Sequence, residues 1–459
     1  MEVKGKRVLV VGLGKSGVAS ALFLASRGAR VTVSDAKSED QLRNEIPALL
    51  DRGITVETGK HGERTFRDQD LIVVSPGVPS NVAPLQQARK LGIPVIGEIE
   101  LTARFLEGHI VAITGSNGKT TTTTLTGEII ASGGRKTLVG GNIGTPAVTF
   151  VEHSSADTWV VLEISSFQLE SIESFHPHIS TVLNITPDHL DRHGSMENYI
   201  AAKKRIFENQ TAKDFAVLNA DNEISRSLAT GLKPQVLWFS RQHEVDRGAF
   251  LRGEAIIYRD GGDVEILPVS EISLKGAHNV ENVLAAVAIG MAAGIEPAAI
   301  RRAVKDFRAV EHRLEYVATL RGVQYYNDSK ATNVDATIKA LQSFAGSIHL
   351  ILGGKDKDSD YSQLNALLAE RVKRVYTIGA AAQKIESQIG NSAPVTSAQT
   401  LESAVRKAAD AAVEGDVVLL APACASFDQF PSYEHRGRVF KELVQSLAAL
   451  QSASPTGGR

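Results

Sequence analysis

The chain has 459 residues, more than one hydrophobic core usually supports, so two or three domains are expected, with three preferred. Hydrophobic residues make up 43% and charged residues 22%, ordinary globular usage that excludes a mainly disordered, fibrous or membrane protein. Lys+Arg (50) nearly balances Asp+Glu (52), so no strong net field draws in nucleic acid or an anionic membrane.

The N-terminal MEVKGKRVLVVGLG runs from a charged start into a strand-like apolar run without an extended signal-peptide core. No stretch is long enough to span a bilayer, so cytoplasm is the expected location and membrane insertion is not. Residues 7–11 read as a strand, GLGKSG as a turn, and ALFLASRG as a helix ended by Gly28. Gly12, Gly14 and Gly17 stand in GxGxxG spacing, and Asp35 ends the next strand. That pattern suits a pyrophosphate, whether of NAD or of a nucleotide sugar, and tight helix packing alone also explains it. Further alternations through LIVVSPGVP and IPVIGEIELTARFL complete a first α/β domain, 1–107, with a parallel sheet.

The pattern restarts at Ile110 with IVAITGSNGKTTTT, which opens a second α/β domain, 108–310. Gly115 and Gly118 permit close backbone approach to phosphates, Lys119 can neutralise β/γ oxygens, and the Thr120 hydroxyl can ligate Mg²⁺. The loop is shorter than GxxxxGK[ST], because the position five before Gly118 is Ile113, inside the strand. WVVLEISSFQLE ends a buried-looking strand on Glu163, where a carboxylate is costly unless paired or metal-bound. NITPDHLDRHG places Asp188, His189, Asp191 and His193 in one loop ahead of YIAAKK; each alone reads as a surface residue. A zinc hydrolase is disfavoured, since neither HExxH nor a Cys/His ligand spacing occurs.

A third restart, 311–450, follows EHRLE, where Arg313 could reach a γ-phosphate or serve in a charged hinge. NDSKATN joins Asp328, Lys330 and Thr332 in a strand-end loop able to bind ribose, phosphate or carboxylate, and LGGKDKDSD is another such loop. The last strand ends in APACASFDQF; Ser426 lacks a GxSxG setting and reads as a substrate contact. The lone Cys424 excludes an intramolecular disulfide framework, fits a reducing compartment and reads as a small core residue. Residues 451–459 are expected as a flexible tail.

Taken in order, TGSNGKT, LEISSFQLE, NITPDHLDRHGS, YIAAK, GAHNVEN, EHRLE, NDSKATN, LGGKDKDSD and PACASFDQF resemble the Mur ligase family from end to end. The resemblance implies three domains: a Rossmann-like N-terminal domain, a central P-loop ATPase-like α/β domain and a C-terminal Rossmann-like domain. It implies an ATP-dependent ligase of peptidoglycan precursor synthesis that joins D-glutamate to UDP-N-acetylmuramoyl-L-alanine through an acyl phosphate, acting as a monomer. By resemblance, Leu13, Gly14, Ser16, Asp35, Lys37 and Gly77 hold the UDP part, and Asn142 positions phosphate. Gly115, Ser116, Asn117, Gly118, Lys119, Thr120 and Thr121 hold the ATP phosphates, Asn279 and Asn282 the adenine side, and Arg313 and Asp328 the closing nucleotide contacts. Thr120, Glu163, His189 and a carbamylated Lys203 would serve two Mg²⁺ ions. Lys330, Thr332, Lys357, Ser426 and Tyr433 would surround D-glutamate. Another amino-acid-adding Mur ligase or a folylpolyglutamate synthase would share the ATP centre; an NAD dehydrogenase would use only the first glycine loop.

Overall fold

The computed structural model describes residues 1–79, 81–274, 276–308 and 311–453. Three sheets organise the chain. The first comprises β1 (Arg7–Val11), β2 (Arg30–Asp35), β3 (Thr55–Thr58), β4 (Leu71–Val74) and β5 (Val95–Gly97), in the order β3-β2-β1-β4-β5 with every pairing parallel. Val8 to Val11 are all buried, as expected of a parallel strand covered on both faces.

The second sheet begins with β6 (His109–Thr114), β7 (Thr137–Gly141), β8 (Trp159–Glu163), β9 (Ile179–Val182), β10 (Phe215–Asn219) and β11 (Gln235–Ser240). It continues through β12 (Gly248–Arg252), β13 (Ala255–Arg259) and β14 (Asp263–Pro268), in the order β14-β13-β12-β11-β10-β9-β6-β8-β7. Only the β12-β13-β14 end is antiparallel, in line with the short strand-like pieces and turn signals of that stretch.

The third sheet, β15 (Glu315–Leu320), β16 (Val323–Asn327), β17 (Ile348–Gly353), β18 (Val372–Ile378), β19 (Val395–Gln399) and β20 (Val417–Leu420), has the order β15-β16-β20-β17-β18-β19. An antiparallel β15 edges an otherwise parallel sheet. Separate cores cover its two faces, one built on Leu350, Leu352 and Leu419, the other on Ile351, Val418 and Phe440. The final helix, Tyr433–Ala453, packs on the second of these, and 454–459 of the expected tail lie outside the described residues.

The chain divides into two compact units. Unit 1 holds the first two sheets and residues 281–305; unit 2 holds the third sheet with 186–194 and 272–280. Within unit 1, Val148 and Val151 of a short helical turn after β7 belong to the core of the first sheet. In all three sheets the chain reverses its direction of strand addition beside a central strand, and crevices at such switch points are where open α/β sheets bind ligands.

Candidate active site

In unit 1, β6 ends at Thr114 between β8 and β9, and the helix Lys119–Ser132 starts four residues after Gly115. Gly118 caps that helix at φ 87°, and a Cβ there would lie 2.2 Å from Asn282 Oδ1, so only glycine fits. Asn184, just beyond β9, fixes the loop. Its carbonyl accepts from Ser116 N–H (2.9 Å), its Oδ1 accepts from Asn117 N–H (2.9 Å), and its amide donates to Asn117 O (3.1 Å). The Lys119 ammonium donates to the carbonyls of Gly115 (2.8 Å) and Ser116 (3.0 Å), which holds a cation at a helix N-terminus suited to anions.

Glu163 is buried at the end of β8. Its Oε2 accepts from the Thr120 hydroxyl (2.8 Å) and its Oε1 from the Asn142 amide (2.8 Å). A hydroxyl and a carboxylate brought together beside a phosphate-type loop are hard oxygen donors that fit Mg²⁺. Lys203, buried on the helix Met196–Lys204, donates to Gly115 O (2.9 Å) and Thr114 Oγ1 (3.3 Å), and its ammonium lies 4.8 Å from the Tyr199 ring centroid. The Tyr199 hydroxyl is 3.0 Å from Ser116 Oγ, so the YIAAK helix supports the loop at two points.

The other glycine loop of unit 1 lies between β1 and β4. A Cβ on Gly17 would fall 1.8 Å from Gly12 O, so that glycine lets the first helix sit on the turn. Asp35 accepts from Leu13 N–H (2.7 Å) through one oxygen and from Lys37 N–H (2.8 Å) through the other. Both Asp35 oxygens thus tie together the loops after β1 and β2. Gly14 and Gly77 have nothing within 4 Å of where a Cβ would lie, leaving their backbone open to close approach.

Unit 2 gathers a second set. Asp188 Oδ2 accepts from the Asn333 amide (3.0 Å), and Asp188 Oδ1 from Lys357 Nζ (3.3 Å) and from His189 N–H (3.0 Å). Asp188, His189 and Lys357 border a cavity of about 240 Å³ that Asp335 and Asp360 also line. Nearby in sequence to β16, Asp328 is buried, and burial pushes its carboxyl up to about 6 despite the opposing charge of Arg313. Arg313 Nε is itself buried without a hydrogen-bond partner among the described residues. Lys330 Nζ sits 5.1 Å from the Tyr433 ring centroid. Ser426 is 2% exposed, and its hydroxyl has no partner among the described residues.

Family models match most of the chain: the Mur ligase MurD-like N-terminal domain over 6–97, the Mur ligase middle domain over 113–290, and the Mur ligase glutamate ligase domain over 312–424. A protein of Koribacter versatilis named UDP-N-acetylmuramoylalanine--D-glutamate ligase is 69% identical, across 98% of this chain and 99% of that one. The chain belongs to the Mur ligase family. A like-named protein of Acidobacterium capsulatum is 59% identical, across 99% of this chain and 100% of its own length. Among solved structures, a pseudomurein peptide ligase type C from Methanothermus fervidus superposes with a TM-score of 0.63, and a UDP-N-acetylmuramate-alanine ligase from Thermotoga maritima with 0.61. Each is 20% identical and covers 96% of this chain and 100% of its own, which places the likeness in the fold.

In this Mur ligase the loop residues Gly115 to Thr121, Asn142, Glu163, Lys203 and Asn282 share one neighbourhood, with Asn282 Oδ1 accepting from Thr122 Oγ1 at 3.4 Å. Asn279, His189, Arg313, Asp328, Lys330, Thr332, Lys357, Ser426 and Tyr433 belong to unit 2. Sequence reasoning did not single out Asn184 or Tyr199, although each stands inside a motif it used. The polar strand-end position of Asn184 in NITPDHLDRHG was the available signal. Glu311, His312 and Glu315 also bring potential metal-binding atoms together, but Lys441 Nζ pairs with both carboxylates and supplies the cation there.

Proposed function

We propose that this Mur ligase joins D-glutamate to UDP-N-acetylmuramoyl-L-alanine, using ATP and an acyl-phosphate intermediate, in the cytoplasmic assembly of peptidoglycan precursor. The observation that carries the amino-acid choice is the end-to-end 69% identity to a protein named as that ligase. The phosphate loop and the Thr120–Glu163 pair supply the geometry for the ATP half.

A carboxylate resists attack because its charge repels a nucleophile and oxide is a poor leaving group; transfer of the γ-phosphoryl removes both obstacles. The loop N–H groups of Gly115 to Thr121 cradle the phosphates, and Lys119 exchanges the carbonyls of its own loop for β- and γ-oxygens. Thr120 and Glu163 are the residues that would hold Mg²⁺, which supplies neutralisation of phosphate charge. His189 and Lys203 are assigned to a second ion. Carbamylation would turn the buried Lys203 from a cation into a carboxylate-like ligand. Arg313 stabilises charge on the transferring group, Asp328 and the two asparagines Asn279 and Asn282 hold the nucleotide, and Asn142 orients phosphate.

Leu13, Gly14, Ser16, Asp35, Lys37 and Gly77 receive the UDP part. Lys330, Thr332, Lys357, Ser426 and Tyr433 receive D-glutamate, whose neutral amine attacks the acyl carbon; phosphate then leaves and an amide remains. The test is product mass after incubation with ATP, Mg²⁺, UDP-N-acetylmuramoyl-L-alanine and, separately, D-glutamate, L-glutamate, L-alanine or a diamino acid. A product with D-glutamate alone is expected; preference for another amino acid overturns the assignment.

A further inference from the structure

The amino-acid end of unit 2 is built from two strand-end loops, one after β17 that carries Lys357 and one after β20 that carries Ser426. Their backbones meet in an antiparallel bridge, in which Lys355 N–H donates to Ala425 O (2.8 Å) and Ala425 N–H to Lys355 O (3.1 Å). Between them stands Tyr361, completely buried. Its hydroxyl lies 2.8 Å from Asp356 Oδ1 and 2.9 Å from Cys424 Sγ. Asp356 immediately precedes Lys357, and Cys424 lies two residues before Ser426.

The protons in this chain have a definite order. Burial pushes the Cys424 thiol up to about 12, and burial together with Cys424 and Asp356 raises the Tyr361 phenol, so both carry their protons at neutral pH. Burial alone would raise Asp356, but hydrogen bonds from Lys384 and Tyr361 outweigh it and keep the group an anion. An anionic carboxylate only accepts, so the phenol donates to Asp356 and its oxygen accepts from the thiol. Lys384 Nζ holds the other Asp356 oxygen at 2.7 Å.

We infer that Tyr361 is a positioning residue for the incoming amino acid, its hydroxyl locking the Lys357 loop to the Ser426 loop through Asp356 and Cys424. The inference rests on the proposal that Lys357 and Ser426 contact D-glutamate. Tyr361 does not touch the substrate; it fixes the spacing of two groups that do, and errors of a fraction of an ångström in such spacing weaken binding.

Tyr361→Phe keeps the ring and removes only the donor. Expected is a rise of about tenfold in KM for D-glutamate, the size of one lost charge-assisted hydrogen bond, with kcat and the KM values for ATP and the UDP substrate within about twofold of the parent. Cys424→Ala, which removes the weaker thiol end, is expected to give the same selective pattern with a smaller rise. Lys357→Ala serves as the reference. If it raises KM for D-glutamate while both other variants leave it unchanged, the positioning role is overturned and the site reading stands. A parallel change in all three KM values also overturns it, because that marks a general structural defect. An unchanged D-glutamate KM in Lys357→Ala overturns the site reading itself, and the inference with it.

Discussion

The Thr120 hydroxyl donates to Glu163 Oε2 at 2.8 Å, although the two residues come from different strand-end segments 43 positions apart. Helix start and strand end are thereby locked at the point where phosphate chemistry requires oxygen ligands. Glu163→Gln keeps the size of the side chain and removes its charge. Phosphate release is expected to fall about 10²–10³-fold, as when one preorganised charge-stabilising group is removed, with the Mg²⁺ requirement shifted to higher concentration. A coupled phosphate assay across a Mg²⁺ titration measures both; parental turnover would remove Glu163 from the metal assignment.

Gly118→Ala places a Cβ on a residue at φ 87° and against Asn282 Oδ1. The backbone term alone costs about 1–2 kcal/mol, and relief of the contact must move the loop or Asn282. A lower thermal midpoint and a KM for ATP raised about tenfold, with the other KM values little changed, are the expected results.

Asp35 offers two acceptor oxygens to two backbone N–H groups, and an asparagine offers only one. Asp35→Asn therefore points an amide donor at either Leu13 N–H or Lys37 N–H. KM for the UDP substrate is expected to rise about tenfold, while ATP and D-glutamate kinetics stay near the parental values. Steady-state kinetics with each substrate varied in turn checks it.

Glu98 is buried beneath the first sheet, where Oε1 accepts from Val148 N–H (3.0 Å) and Oε2 lacks a hydrogen bond among the described residues. Burial pushes its carboxyl from 4.5 up to about 7. Because the folded value exceeds the unfolded one, the folded state binds the proton more tightly. Ionisation of Glu98 costs stability fully above about 7, and that cost disappears as pH falls toward 4.5. Glu98→Gln is expected to gain on the order of 3 kcal/mol at pH 8 relative to its effect at pH 4.5, read from denaturant midpoints at the two values.

The alternation of strand, glycine loop and helix was legible because parallel strands covered on both faces read as unbroken apolar runs, and because glycines mark turns that no other residue can make. Gly118, at φ 87°, illustrates the second reason, and Gly17 marks the related case of a helix residue that a turn approaches too closely for a Cβ. β7 was harder to see, since it ends in Gly140 and Gly141, residues that weaken a strand pattern. Within the site, residue types and motif order located Lys119, Thr120 and Glu163. The partners Asn184 and Tyr199 reach the loop from 67 and 83 positions away, contacts that local periodicity does not encode. The role of Asp35 in joining two loops rests on backbone N–H groups of Leu13 and Lys37, contacts that its place at a strand end does not reveal. Cys424 is the buried core thiol that its small neighbours suggested.

Arg436, 1% exposed, lies in the final helix and reaches back into the third sheet. Its guanidinium donates to the Ser329 hydroxyl (2.9 Å) and carbonyl (2.8 Å) and to the Cys424 carbonyl (3.2 Å). Buried carbonyls left without such a donor are costly, so this arginine helps hold the loops after β16 and β20 in place. During vectorial synthesis the phosphate-loop unit, whose last segment ends at Lys305, can mature first, while the end assigned to the amino acid waits for the helix that carries Arg436. The order of manufacture thus runs from the phosphate loop to the amino-acid end, and a nascent chain stopped before Arg436 would carry the first without finished versions of the loops that hold Asp328 and Ser426.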